Sequence, residues 1–429
     1  MLSDTGGTAA MKLFLSAYAC EPGKGSEPGI GWNTALELAR HHEVHVLTRA
    51  NNLPSIREAL SGYEGPKPVF HGYDLPRWLT FWKRKRRGYH LYYYLWQYGA
   101  FFRYRALANR CDVVQHLTFA NWAMPSLFML CRPVTVYGPI GEVHTPEVVF
   151  RSLPWRVGVR ERLRTWGMWL FTHLEPFRVL TPRGADVILE SGHPEGRSGF
   201  SGKFLSKIRR QHQTGINPGE AEYEVRRGRE SDGKVRLLIC SEFVHWKGVT
   251  YACEVFGRIA SMREDVELHI YGKGPERAAM ERILARHGVS GAVRWFGFVG
   301  KREMLQALCD ADILLYPSYH HGLATLILQA MWAGLPIVAM LDDPVALAVG
   351  EGAGVVAQGA TMEEVLDDMQ VKTLELIDSE ERRRQLGQRG RELVRERYAW
   401  SKTVERLSRL LEEAKAACEA SGQVGVRGC

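Results

Sequence analysis

The sequence predicts an α/β protein of two doubly wound, parallel-sheet domains facing each other across a cleft, and three observations predict it. The chain, at 429 residues, is too long for one ordinary domain. Its composition, 45% hydrophobic and 24% charged, is that of a globular protein with a large core. Its strand–helix pattern starts twice, once at Lys12 and again at Val235.

Lys12–Ser16 (KLFLS) reads as a short apolar strand, followed by a glycine-rich turn, a helix over Trp32–Arg40 and a second strand over Glu43–Thr48. The pattern recurs with a strand over Val235–Cys240 (VRLLIC), a helix over Thr250–Ala260 and a strand over Val266–Tyr271 (VELHIY). Strands alternating with helices build parallel sheets through crossover units, and ligands bind beyond the carboxyl ends of such strands. Between the two series, Ser191–Glu230 is rich in Gly, Ser, Arg and Gln, and the turn residues of Gly215–Gly219 (GINPG) mark the linker. This gives a first domain over 11–216, a second over 217–396 and a closing helix over 397–418.

Net charge is +8, which favours acidic partners: nucleic acid, anionic lipid or phosphorylated small molecules. The eight cysteines form no CxxC pair and read as reduced cytosolic thiols. The apolar run at the start of the chain has no basic stretch before it, and it reads as a strand rather than a signal peptide. No segment is long and apolar enough to span a bilayer. A cytoplasmic protein is expected, peripheral at most to the inner face of the membrane.

One stretch is compositionally odd. Between Leu75 and Cys111 there is no acidic residue, and basic residues from Arg77 to Arg110, including Lys83–Arg87, interleave with aromatics such as Trp78, Phe81, Trp96 and Phe102. Such a mixture suits an anionic membrane surface. It also suits nucleic acid, or a solvated basic loop beside a buried aromatic helix. Membrane contact through 77–110 is the partner carried forward, and no nucleic acid.

Four segments could carry chemistry. Glu21–Gly31 (EPGKGSEPGIG) follows the first strand, and its glycines let backbone N–H groups approach an anion at a helix start. It lacks the spacing of a dinucleotide fingerprint. His116, past an apolar strand start in Val113–Phe119 (VVQHLTF), stands where a side chain faces the cleft, or is a structural histidine. In the second domain Lys247, in SEFVHWKG, could pair with a phosphate as a point charge, or be an exposed structural lysine. DILLYPS leads through HHGL into the helix Ala324–Ala333, and a glycine just before a helix suits a diphosphate.

Together these residues resemble the family-4 glycosyltransferases of the GT-B fold. The likeness runs from Lys12 to about Ala414, and its most specific portion is DILLYPS…AMWAGLPIVA. The resemblance implies sugar transfer, with retention, from a nucleoside diphosphate sugar to a glycan or lipid-linked acceptor, with no cofactor and no metal. It implies that Gly29 and Gly31 line the first-domain face of the cleft and that His116 contacts the sugar. Lys247 would bind the diphosphate, and Gly272, Gly274, Phe296 and Phe298 would flank the nucleoside. Gly322, Leu323, Ala324 and Thr325 would hold the diphosphate at the helix start. The closing residues Arg397–Trp400 (RYAW) match where the family's last helices return to the first domain.

The chain departs from that pattern at three donor-site positions. Glu242 stands where the family has an arginine, and His321 and Gln329 stand where it has two acids. A carboxylate at 242 aimed at a diphosphate would repel it. Gln329 keeps the capacity to hydrogen-bond ribose hydroxyls. A homologue with a degenerate donor site, acting as a binding or membrane-associated partner, is the alternative these departures raise.

Overall fold

The structure is a computed structural model describing residues 10–82, 88–141, 145–153, 155–174, 179–191, 202–217, 233–319, 324–341 and 344–421. In the first domain seven strands pair in the order β3-β2-β1-β4-β5-β6-β7, all parallel. They are β1 (Lys12–Ser16), β2 (Glu43–Arg49), β3 (Val69–Tyr73), β4 (Val113–His116), β5 (Val134–Ile140), β6 (Val187–Glu190) and β7 (Ile208–Arg210). The helices between them are α1 (Ser26–Leu38), α2 (Leu53–Ser61), α3 (Tyr89–Ala108), α4 (Glu147–Ser152), α5 (Trp155–Leu174) and α6 (Leu180–Gly184).

The second sheet has six strands in the order β10-β9-β8-β11-β12-β13, again all parallel. They are β8 (Val235–Cys240), β9 (Val266–Tyr271), β10 (Val293–Gly297), β11 (Ile313–Leu315), β12 (Ile337–Met340) and β13 (Gly354–Ala357). Its helices are α7 (Val249–Ala260), α8 (Arg277–Arg286), α9 (Lys301–Asp310), α10 (Thr325–Ala333), α11 (Pro344–Gly350), α12 (Met362–Asp378) and α13 (Glu380–Leu393), and α14 (Trp400–Ala420) closes the described chain.

Each sheet is covered on both faces, which is why its strands read as continuous apolar runs. Along β1, Leu13 and Leu15 enter one core layer and Phe14 the other. Along β8, Leu237 and Ile239 enter one layer, and Leu238 and Cys240 the other. This is the two-residue period of a strand.

Two parts of the chain cross between domains. Helix α14 follows the second sheet, yet its stripe Trp400, Val404, Leu407, Leu411 and Ala414 is buried in the core of the first domain. The spacing of four and three residues puts all five on one helix face. His42 Nε2 lies 2.7 Å from Ser408 Oγ, and Lys415 Nζ 3.0 Å from Asp112 Oδ1, at the edges of that contact. The two crossing strands of chain run side by side: Ile216 N donates to Tyr398 O and Trp400 N to Ile216 O, both at 3.0 Å. In the opposite sense, α4 lies between β5 and β6 in sequence, but its Val149 is fully buried in the core of the second domain. Ser152 Oγ there lies 2.8 Å from the Tyr251 hydroxyl.

The linker expected at Gly215–Gly219 is described as far as Asn217. The helix expected over Trp32–Arg40 begins earlier, at Ser26, because Pro28 is tolerated in a first turn that needs no N–H donor.

Candidate functional site

In both sheets the strand order reverses at one point, between β1 and β4 in the first and between β8 and β11 in the second. A doubly wound sheet opens a crevice at that switch, beyond the strand carboxyl ends. Four segments picked from the sequence leave these four strands: the glycine loop after β1, His116 at the end of β4, the Lys247 loop after β8, and the run into α10 after β11.

The chain between the sheets ties two of these segments together. Gln213 Nε2 donates to Glu27 Oε1 at 3.1 Å, and Glu27 Oε2 accepts from Phe119 N at 3.0 Å. Burial raises the Glu27 carboxyl above its ordinary range, against the opposing pull of these two donors. One residue further on, Thr214 Oγ1 lies 3.4 Å from Thr325 Oγ1 in the first turn of α10. The start of α1 and the start of α10 therefore meet neighbouring residues of one connecting segment.

Lys247 is held by the residue that follows β11. Its Nζ donates to the Tyr316 hydroxyl at 3.0 Å. The loop around it is fastened to the same exit: Ser318 Oγ donates to Trp246 O at 3.2 Å and Tyr319 N to the same oxygen at 3.1 Å. Gly248, with φ +62°, closes the loop where a Cβ would stand 1.9 Å from Pro317 O. An ammonium has three donors, and Tyr316 takes one. Helix α10 starts at Ala324 with no side-chain cap, and Ile327 N donates to Ala324 O at 3.0 Å; the N-terminal end of such a helix favours an anion. Gln329 is half-buried one turn further along.

Beside this lies an aromatic platform. Phe296 stacks on Tyr271 with ring centroids 4.4 Å apart and planes 2° off parallel, and it remains 44% exposed. Phe298 is 72% exposed under the Lys273 ammonium, which sits 4.6 Å from its ring centroid. Gly272, at φ +136°, is pressed against the loop after β8, since a Cβ would stand 1.9 Å from Ser241 O. Gly274 has its counterpart contact at 2.4 Å from Phe243 O. Glu242, on that same loop, is exposed.

Two of the expected site positions are enclosed. His116 ends β4 as anticipated, but it does not open to the crevice: it is 1% exposed, with Nε2 3.0 Å from the Tyr93 hydroxyl and Nδ1 2.9 Å from Ser126 Oγ. The Tyr93 hydroxyl also lies 3.1 Å from Phe119 O, so it bridges His116 to the loop after β4. Burial lowers the His116 pKa to about 3, so the ring is neutral, and its partners tie it to α3 and to the loop after β4. Gly29 and Gly31 lie inside α1 and are buried. A Cβ at these positions would meet Lys24 O at 2.2 Å and Ala19 O at 2.3 Å, so their smallness serves close backbone packing. His321, Gly322 and Leu323 fall outside the described residues, as does Lys83–Arg87.

Sequence reasoning passed over Glu27, Thr214 and Tyr316. A lone carboxylate among the glycines of EPGKGSEPGIG was the available sign for the first, and the other two carried none. Among the described residues no cluster of His, Cys, Asp and Glu side chains could hold a metal ion. None of the described helices is long and apolar enough to cross a membrane.

Residues 222–393 match the family described as glycosyl transferases group 1. That span holds the loop of Lys247, the aromatic platform and α10. The chain is 29% identical over 188 residues to the MMP alpha-(1->4)-mannosyltransferase of Mycolicibacterium hassiacum, covering 43% of this chain and 45% of that one. It is 26% identical over 184 residues to a GDP-mannose-dependent monoacylated alpha-(1-6)-phosphatidylinositol monomannoside mannosyltransferase of Corynebacterium glutamicum, covering 41% and 47%. The matched stretch spans less than half the length of either relative. Among solved structures, sucrose-phosphate synthase from Thermosynechococcus elongatus superposes with a TM-score of 0.62 at 14% identity, over 94% of this chain and 99% of that one. At that identity the likeness concerns the fold, and the fold is GT-B.

Proposed function

We propose that the protein is a retaining glycosyltransferase of family 4, moving a sugar from a nucleoside diphosphate sugar to a glycan or lipid-linked acceptor, in polysaccharide biosynthesis. The observation that carries this is the pairing of Lys247 with the uncapped start of α10. Both lie at the switch point of the second sheet and are linked through Tyr316, the first residue after β11. The match of 222–393 to group 1 glycosyl transferases supports the same reading.

In this reading the bond from the sugar's anomeric carbon to the diphosphate breaks, and the negative charge collecting on the leaving diphosphate is met by the Lys247 ammonium and the α10 N–H groups. Stabilising that charge with donors already in place is the main catalytic work. The Phe296–Tyr271 stack receives the base by its face, and Gln329, one turn into α10, bonds the ribose hydroxyls. Glu27 and Gln213 hold the acceptor side to the connecting segment. His116 positions the loop from Leu117 to Asn121. No cofactor enters beyond the donor itself. A membrane-linked acceptor accords with the exposed Trp78, Phe81 and Phe102 of the stretch 77–110, although Tyr92, Tyr93 and Trp96 of that stretch are core residues.

Thermal unfolding with each common nucleoside diphosphate tests the donor site. A ligand at 100 times its Kd stabilises by about 2.7 kcal/mol. A flat response to every nucleotide would overturn this reading in favour of the degenerate-site alternative. The anomeric configuration of the product, read by NMR, tests retention.

A further inference from the structure

Helix α5 presents a face that nothing in a water-soluble domain calls for. Trp155, Val159, Leu163, Trp166 and Trp169 are 73%, 46%, 62%, 59% and 52% exposed. At 100° per residue they fall within a stripe about 120° wide along a helix about 30 Å long. Arg162 falls within the stripe and Arg160 flanks it, both exposed, while Arg164 is paired with Glu161. Its single acidic residue, Glu161, is 6% exposed and turned inward, accepting from Thr145 Oγ1 at 3.2 Å and from Arg164 Nε at 3.0 Å. The outward face is thus tryptophan, aliphatic and arginine, with no carboxylate.

We propose that α5 is an in-plane docking helix for an anionic lipid bilayer, with its tryptophans at the level of the headgroups. Charge decides for an anionic bilayer over a second copy of the chain. Two such faces brought together would set arginines against arginines, whereas acidic headgroups attract each one. Tryptophan is the side chain enriched where apolar and wet layers meet, and arginine stems let the guanidinium reach the phosphates. The helix is not apolar enough to cross, so it lies flat. The inward side of α5 approaches the loop before Lys247 through Glu161, but the tryptophan face has no part in the sugar-transfer reading, and the proposal holds whether or not that reading does.

The test is co-sedimentation of the full chain with vesicles of phosphatidylcholine alone and of phosphatidylcholine mixed with phosphatidylglycerol. Binding is expected to the mixed vesicles only, and to weaken with salt. Trp155→Ser with Trp166→Ser and Trp169→Ser should cut it roughly tenfold or more, leaving the melting temperature within a few degrees because the side chains are exposed. Arg160→Ser with Arg162→Ser should remove most of the salt dependence. Trp78→Ser with Phe81→Ser, on the other aromatic stretch, should leave most of the binding in place. Equal sedimentation of wild type and the triple tryptophan variant overturns the proposal, as does equal binding to neutral vesicles. Self-association that the triple variant abolishes, without vesicle binding, overturns it in favour of a homodimer face.

Discussion

Glu161 of α5 lies 3.9 Å from His245, an approach that joins a helix of the first half of the chain to the loop two residues before Lys247. Burial lowers the His245 pKa below its ordinary value, and Glu161 works against that by favouring the charged ring. Glu161→Gln should therefore move the His245 titration to still lower pH, followed by NMR of the ring protons. An unchanged titration would mean that the two do not meet in solution.

Lys247→Ala should lower kcat/KM by the equivalent of about 2–4 kcal/mol, as expected for a lost preorganised donor. Glu242→Arg supplies the complementary change, since Glu242 is an exposed carboxylate on the same loop. Nucleotide affinity should rise as a repulsion becomes a bidentate attraction, measurable by calorimetry. A protein indifferent to both substitutions does not use this loop for its donor.

His116 makes the fold acid-sensitive. Its folded pKa of about 3 lies below the ordinary value of 6.5, so the unfolded chain takes up a proton first as pH falls. The stability tied to its neutral form is whole above about pH 6.5 and is lost progressively down to about pH 3. Urea midpoints measured across that window should fall for wild type and fall less steeply for His116→Asn. Equal slopes would assign the acid sensitivity to other groups, His212 among them, since its pKa is lowered to about 4.

Gly272→Ala should damage the nucleoside platform without touching it directly. The residue has φ +136°, and a Cβ there would stand 1.9 Å from the backbone oxygen of Ser241. Either β9 or the loop after β8 must move, and both adjoin the site. A loss of about 1–3 kcal/mol of stability is expected, with a weaker nucleotide response, both readable in one thermal-shift series. A variant with wild-type stability and affinity would contradict the contact.

How much of this could be read in advance depended on where each residue's partners lie. The strands β1, β8 and β9 have the bounds their apolar runs imply, because a strand buried on both faces carries its own signature. The start of α1 was hidden by Pro28 and the glycines, which read as a turn yet here serve close packing. His116 stands at its predicted strand end, but its burial is fixed by Tyr93 and Ser126, which are distant in sequence. Tryptophans at helical spacing in α5 look like a core stripe on paper, and only the placement of Glu161 shows which side faces in. The basic aromatic stretch before Cys111 divides, with Trp78, Phe81 and Phe102 exposed and Tyr92, Tyr93 and Trp96 in the core, a split that its composition does not carry.

Val149 lies in the hydrophobic core of the second domain, while β5 and β6 on either side of it in sequence belong to the first sheet. Together with α14, which crosses the other way, this makes the two halves inseparable by cutting: a break at 217 would strip each of a piece of its interior. The short link from α4 to α5, and the approach of Glu161 to His245, attach the tryptophan face to the body that carries Lys247.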